Sequence, residues 1–306
     1  MAHNGYKHFA LRTTRSIKSP ISRRRVPSRS GKMLKLKASR VSSKLPLNGD
    51  IYMARKISLL GLETIGIVHE GDDIAEMIVR AAKREDVTID DGDILVITSK
   101  IVAKAKGGII KLREVKPSRR ALAIAKVVKK DPRLLELILR EAQCVVKMTP
   151  KHVIVRTRHG VVCANAGIDK SNVTGRRDSV LLLPEDPDAE ARRIRRRIKE
   201  LTGKDVAVVI TDTYGRPLRE GQVDFAIGIA GMKPFKDYRG STDLFGYVFR
   251  VKRIAIADEI AAAAELVMGN GAEGIPVVII KGLNYEEDED SNARELNMPR
   301  TKWLFR

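Results

Sequence analysis

Cysteine is nearly missing from this 306-residue chain: only Cys144 and Cys163 occur, with no CxxC spacing. That excludes a disulfide framework and a cysteine-held structural zinc. The five histidines (His3, His8, His69, His152 and His159) are scattered, none at a metal-ligand spacing from another. Any metal is therefore expected to be a hard cation on oxygen ligands. Long apolar runs are also missing. Stretches such as Ile94–Ile97 and Val277–Ile280 are far short of the roughly 20 residues that cross a bilayer. No charged-then-apolar leader with a small-residue cleavage site opens the chain, so a cytoplasmic protein without membrane contact is the expectation. No GxxxxGK[ST] stretch occurs, which excludes a P-loop. Glutamine is confined to Gln143 and Gln222, while Lys, Arg and Glu abound. That bias resembles proteins of thermophiles, in which ion-pair networks are favoured and labile amides avoided.

What is abundant is charge, and it is unevenly placed. The net charge is +20. Residues 1–52 hold 13 Lys/Arg against the single acid Asp50, a surplus of +12. Residues 53–306 hold 45 Lys/Arg against 37 acids, a surplus of +8. The first 52 residues, rich in Ser, Lys and Arg with little periodicity, match segments that do not repay their ordering entropy. Two readings stand: a disordered extension or mis-assigned start, which the composition favours, and a basic arm for nucleic acid or anionic surfaces.

From Met53 the patterning is regular. MARKISLLGLETI is a plausible first strand. Asp72-Asp73 precedes a helical stripe of Ile74, Met77, Ile78, Ala81 and Ala82, with Asp as N-cap. Ile94 to Ile97 is a buried strand ending at Thr98-Ser99-Lys100. Helices are expected at about 117–130 and 132–142, and strands at 152–158 and 161–164 around a His159-Gly160 turn. Asp186-Pro187 opens a helix closed by Gly203. Its outer arginines, Arg192, Arg193 and Arg195 to Arg197, suit a solvated face with partners such as Glu190 and Glu200. Strands follow at 205–211, 225–230 and 247–256, then a helix over 258–268, a glycine loop and a strand at 275–280. Residues 286–306 form an acidic-then-basic tail, its acidic part solvated. About nine strands and five helices interleave without a clean βαβ rhythm, so the expected fold is α/β with a mixed sheet and flanking helices.

Three loops carry chemistry. Gly269-Asn270-Gly271-Ala272-Glu273-Gly274 matches GxGxxG, but a helix precedes it and a strand follows, the reverse of a dinucleotide fingerprint. What survives is that three glycines let backbone N–H groups approach an anion or a base closely. Asn165 to Asn172 places Asp169 in an oxygen-rich loop, or in an ordinary Asx turn. Thr211 to Gln222 places Asp212 directly after a buried strand, with Arg216 and Arg219 suited to phosphate or carboxylate. Together they offer Asp169 and Asp212 as hard ligands, with Ser99, Lys100 and Lys104 as phosphate partners: a metal-dependent phosphotransfer site.

The stretches EGDDIAEMI (70–78), DGDILVITSKIVAKAKG (91–107), VCANAGIDKSNV (162–173), VITDTYGRPLREGQVDFAIGIAG (209–231) and ADEIAAAAELVMGNGAEGIPVVIIKG (257–282) resemble the coenzyme F-420 gamma-glutamyl ligases. They run in that family's order. The family adds L-glutamate to the deazaflavin F-420-0. The resemblance implies a two-domain α/β fold in an intertwined homodimer, with the ligase region at 53–285. It implies GTP as donor, Mg²⁺ or Mn²⁺ with two ions per site, potassium as activator and stepwise addition of glutamates. Asp169 and Asp212 would hold one metal, and Thr213 and Asn270 a second. Members usually have Glu or Gln where this chain has Asn270, an amide that can still coordinate at shorter reach. The nucleotide would be gripped by Ile65, Gly66, Ile67, Val68, Ser99, Lys100, Lys104 and Asn172, and by Met268, Gly269, Asn270, Gly271, Ala272, Glu273, Gly274 and Ile275. No catalytic side chain is implied beyond metal and phosphate ligands. Some relatives continue into a flavin-dependent reductase domain, and a stand-alone ligase is expected here. The rival readings are a basic nucleic-acid-binding protein, against which the missing aromatic interleaving counts, and a metal-dependent ligase or kinase for another acidic acceptor.

Overall fold

A mixed five-stranded sheet organises the chain, in the order β1-β12-β2-β8-β9. The computed structural model describes residues 55–150, 152–175 and 178–304, so the basic segment 1–52 and the start of the expected first strand lie outside the described residues. The sheet consists of β1 (Ser58–Gly61), β2 (Ile94–Thr98), β8 (Ala207–Arg216), β9 (Arg219–Ala230) and β12 (Val277–Lys281). Only β2 and β8 pair in parallel; the other neighbours are antiparallel.

The central strands read as unbroken apolar runs because both faces are covered. Leu95, Ile97, Val208, Ile210, Val277 and Ile279 face α1 (Ile74–Arg84) and α5 (Pro187–Thr202), meeting Ile74, Ile78, Ile194 and Ile198. Their alternates Ile94, Val96, Val209, Val278 and Ile280 face α6 (Ile256–Met268), packing on Ala257, Ile260, Ala261 and Ala264. Each fully buried isoleucine contributes roughly 1.5–3 kcal/mol.

The helices start where their caps dictate. Asp73 accepts from Ala75 N and Glu76 N to begin α1, Asp131 opens α4 (Pro132–Glu141), and Asp186 accepts from Ala189 N to begin α5. Gly203 closes α5 at φ +73°. Helices α2 (Ser99–Ala105) and α3 (Arg119–Val128) complete the set.

Between β2 and β8 the chain builds a third apolar cluster. Leu134, Leu135, Leu137 and Ile138 of α4 pack on Val153 and Val155 of β5 (Val153–Thr157) and Val180 of β7 (Ser179–Leu181). Strand β5 lies between β4 (Ala142–Met148) and β6 (Val162–Ala164), and β7 pairs with β3 (Ile109–Lys111). His159 sits beside the Gly160 turn as expected and is buried, its Nε2 3.0 Å from the Glu185 carbonyl.

Two expectations need correcting. Residues 211–222 are not a loop but the outer half of a long β8–β9 hairpin, with Thr213 opposite Asp224 and Gly215 opposite Gln222. The strand expected at 247–256 shrinks to β11 (Arg253–Ile254), paired with β10 (Lys236–Asp237). Tyr247, Val248 and Val251 are exposed, with only a bridge from Val248 to Thr242.

The arginine face of α5 is a paired surface. Arg193 meets Glu190 at 2.8 Å, and Arg197 meets Asp73 at 2.9 Å and Glu200 at 3.0 Å. The acidic tail is exposed yet tied down: Lys233 donates to Glu286 at 2.8 Å, Arg195 pairs with Glu289, and Asp188 accepts from Ile229 N and Ala293 N. Among the described residues no helix is long and apolar enough to cross a membrane.

Candidate functional site

Thr98 at the end of β2 lies level with Thr211 of β8. Residues following these two parallel strands therefore gather at one edge of the sheet, where open α/β sheets hold their ligands. The chain turns into α2 after Thr98, and Ser99, 2% exposed, donates its hydroxyl to Asp212 at 2.9 Å. Lys100 and Lys104, four residues apart on α2, reach the same space. Lys100 Nζ lies 2.9 Å from Asp169 Oδ2.

The loop that delivers Asp169 is shaped by backbone geometry. Asn165, Ala166 and Gly167 take positive φ in succession (54°, 58° and 69°). At Gly167 a Cβ would be strained by φ +69° and would stand 2.7 Å from Leu183 Cδ1, so glycine is favoured there. Asp169 then accepts from Ser171 N at 3.0 Å and Ser171 Oγ at 2.8 Å. Asn172 Nδ2 donates to the Gly271 carbonyl at 2.8 Å, tying this loop to the glycine loop.

Two adjoining clefts result. The first, about 460 Å³, is bounded by Gly66, Ile67 and Val68, by Lys100, Lys104 and Asn172, and by the loop from Met268 to Ile275. The second, about 310 Å³, is bounded by Asn165, Gly167, Asp169, Ser171 and Gln222. Lys100, Asp212, Thr213 and Asn270 line both. Both volumes fall within the range of small-molecule sites. The glycine loop passes from α6 through Gly269 at φ +63° and Gly274 at φ +73° into β12, confirming the reversed order for a dinucleotide fingerprint.

Electrostatics single out the shared wall. Burial pushes the Asp212 carboxyl up to about 6, against the opposing pull of Ser99, Tyr214 and Lys100. Burial also opposes ionisation of Asp169, but Lys100 and Ser171 outweigh it and hold its carboxyl below the ordinary range. Lys104 is lowered by burial and by the neighbouring Lys100 charge.

The oxygens present suit a hard cation: carboxylates at Asp169 and Asp212, a hydroxyl at Thr213 and an amide at Asn270. A buried carboxyl that is costly to ionise is what a cation would relieve. Among the described residues no three His, Cys, Asp or Glu side chains form a metal-holding group, so an ion here would be completed by neutral oxygens and ligand oxygens.

Most expected residues converge, with four exceptions. Ile65 is 5% exposed and belongs to the core beside α1, behind Gly66. Ser99 acts on Asp212 rather than on the open cleft. Arg216 and Arg219 sit at the hairpin turn, where Arg216 donates to the Glu220 carbonyl at 2.9 Å, and neither is among the described residues lining the clefts.

Two acids escaped the sequence reading. Asp224 lines the first cleft and accepts from Thr211 Oγ1 at 2.9 Å and Thr213 Oγ1 at 2.6 Å. Glu265, on α6, accepts from Asp224 N at 3.0 Å and from Asn270 Nδ2. The available signal was an acid about one turn ahead of the glycine loop in an alanine-rich helix.

A profile of the family described as F420-0:Gamma-glutamyl ligase matches residues 63–282. The chain belongs to this family. Every element that lines the two clefts falls within the matched range. The family's relatives include the coenzyme F420:L-glutamate ligase of Methanothermobacter thermautotrophicus, 47% identical over 252 residues, covering 82% of this chain and 99% of the relative. That of Methanopyrus kandleri is 46% identical over 228 residues, covering 74% and 88%. That of Methanocaldococcus jannaschii is 41% identical over 254 residues, covering 82% and 98%. As a member of the F420-0:gamma-glutamyl ligase family, the chain is an enzyme, a ligase.

Proposed function

We propose that this ligase joins L-glutamate to the carboxylate of F-420-0 at the expense of GTP, then adds further glutamate through a γ-linkage. The observation that supports this most is the shared wall. Lys100, Asp212, Thr213 and Asn270 line both a nucleotide-sized cleft and a second cleft, so two substrates would meet across one set of charges.

GTP occupies the first cleft in this reading. The exposed Ile67 side chain covers one face of the base, while backbone groups of Gly269 to Gly274 and the Asn172 amide hold the ribose and phosphates. Lys100 and Lys104 turn toward the γ-phosphate. The F-420-0 carboxylate approaches through the second cleft, past Asp169 and Gln222.

A carboxylate oxygen of F-420-0 attacks the γ-phosphorus, the bond to the β-bridging oxygen breaks, and GDP leaves. The glutamate amine then attacks the acyl carbon, phosphate departs with the former carboxylate oxygen, and the amine gives up a proton to solvent or phosphate. Asp169 and Asp212 would hold one Mg²⁺ or Mn²⁺, and Thr213 and Asn270 a second. Such ions neutralise charge on the transferring phosphoryl group. Lys100 and Lys104 orient that group and balance the charge spread over its oxygens. Ser99 fixes the Asp212 carboxylate through a hydrogen bond. Potassium as activator, a two-domain intertwined homodimer and a cytoplasmic location complete the proposal.

The test is incubation of the protein with F-420-0, GTP, Mn²⁺ and L-glutamate, followed by mass spectrometry of the deazaflavin. Successive increments of one glutamyl residue are expected. Absence of product alongside turnover of another acidic acceptor would overturn the substrate assignment.

A further inference from the structure

Thr213 Oγ1 lies 2.6 Å from Asp224 Oδ1 and 3.0 Å from Asn270 Oδ1. A threonine hydroxyl carries one proton, and both neighbours are acceptor oxygens. The shorter contact, to a carboxylate, is charge-assisted and takes that proton. The Asn270 amide has no freedom to turn its nitrogen toward Thr213, because Nδ2 donates to Glu265 Oε1. The Thr213 and Asn270 oxygens therefore face each other at 3.0 Å with no hydrogen between them. Two adjacent ligands of an octahedral ion at 2.0–2.1 Å stand about 3.0 Å apart, which is the separation observed.

The two acids that impose this arrangement are themselves locked together. Asp224 N donates to Glu265 Oε2 at 3.0 Å, and the other Asp224 oxygen accepts from Thr211 at 2.9 Å. Each acid thus grips one neutral oxygen donor and the backbone or hydroxyl of the hairpin. Both supply negative charge that a Thr–Asn pair lacks.

We propose that Asp224 and Glu265 are positioning residues for a divalent cation. Asp224 accepts the hydrogen bond of the Thr213 hydroxyl so that the lone pairs of Thr213 Oγ1 face outward, and Glu265 holds the Asn270 amide with its oxygen toward the same point. This rests on the reading of Thr213 and Asn270 as ligands given above. Outer partners of this kind commonly change metal affinity by 10- to 100-fold. Glu265 thereby supplies the charge that a carboxylate at position 270 would have supplied directly.

The experiment measures Mn²⁺ uptake by the full chain with GDP present, from loss of the free-ion EPR signal, with thermal melting recorded for every variant. The wild-type protein is expected to take up two ions per chain. In Glu265→Gln the new amide donates to Asn270 and turns it around; in Asp224→Asn the carboxylate that accepts the Thr213 hydrogen bond is lost. Each is expected to weaken one ion by 10- to 100-fold while the other stays at its wild-type affinity. Adding Asn270→Glu to Glu265→Gln returns a carboxylate to the ligand position and is expected to restore the second ion. Single variants that keep both ions at wild-type affinity overturn the proposal alone. So does a folded Glu265→Gln/Asn270→Glu protein that still lacks the second ion. A wild-type protein that binds no Mn²⁺ with GDP overturns the ligand reading itself, and the proposal with it.

Discussion

Ser99 donates its hydroxyl to Asp212 at 2.9 Å although 113 residues separate them in the chain. The contact follows from the parallel pairing of β2 and β8, which sets Thr98 beside Thr211 and so brings the next residue of each strand into reach. The whole crossover between those strands, with the Asp169 loop and the third apolar cluster, is suspended from this pairing. The site is thus held by the buried centre of the sheet, with Asp212 and Thr213 on β8 and the remaining groups on α2 and the loops around it.

Removing charge from the shared wall tests its role. Asp212→Asn keeps the side chain's size and its contact with Ser99, and Asp169→Ala removes the Lys100 partner. Each is expected to lower the rate of GDP release roughly 100-fold or more, the scale of losing one fixed electrostatic element. Wild-type turnover in both variants would remove these residues from the site.

Lys104 reaches the first cleft with no carboxylate partner among the described residues, whereas Lys100 has Asp169. Lys104→Ala is expected to lower kcat/KM for GTP by about tenfold, or about 1.4 kcal/mol, with kcat falling as charge on the transferring phosphoryl group loses its partner. Steady-state kinetics at saturating F-420-0 and glutamate read this directly. An unchanged kcat/KM for GTP would contradict a role on the transferring phosphate.

The Asp212 carboxyl gives the cation-free protein a distinctive pH dependence. Its folded value, about 6, lies above the ordinary 3.8, so the folded state binds more protons than the unfolded chain between those pH values. The Asp212 contribution therefore weakens stability as pH rises from about 4 through about 6, and levels off above. The magnitude is on the order of 3 kcal/mol. Melting temperatures of wild type and Asp212→Asn without metal should diverge over that window, with wild type losing ground. A constant difference from pH 4 to 7 would contradict the burial argument.

Gly228 marks the closest approach of β9 to α5. A Cβ there would stand 2.5 Å from the Pro187 carbonyl carbon and oxygen, which are backbone atoms with no flexible side chain to give way. Gly228→Ala is expected to destabilise the fold by roughly 1–3 kcal/mol, the usual range for overpacking, or more if α5 is displaced. Chemical denaturation measures it. A variant as stable as wild type would mean that the strand and helix separate more easily than their packing implies.

The basic segment 1–52 carries +12 of the charge and precedes the range 63–282 that the family profile matches. Deleting it is expected to leave ligase activity intact. Total loss of activity in a folded truncated protein would refute that and revive a role for the arm.

Much of the scaffold was legible because its signals are local. Asp73, Asp186 and Gly203 announce their helix ends by residue type, and Leu95 and Ile97 sit in a run too apolar for any surface strand. The β8–β9 hairpin was not legible. Gly215 and Arg216 look like loop residues, yet both pair with β9, and only Pro217 and Leu218 form the turn. Asp224 was missed for the same reason, since its meaning depends on standing opposite Thr213. Motif resemblance gave Thr213 and Asn270, but their relation to Glu265 is a matter of side-chain geometry that no spacing encodes.

The most direct test of the central claim uses F-420-0 labelled with ¹⁸O in the acceptor carboxylate, together with GTP, Mn²⁺ and L-glutamate. Attack of that carboxylate on the γ-phosphate predicts one ¹⁸O in the released inorganic phosphate for each amide bond formed to labelled F-420-0, with the other ¹⁸O retained in the amide. Product formed with unlabelled phosphate would contradict activation of the acceptor by GTP at this site.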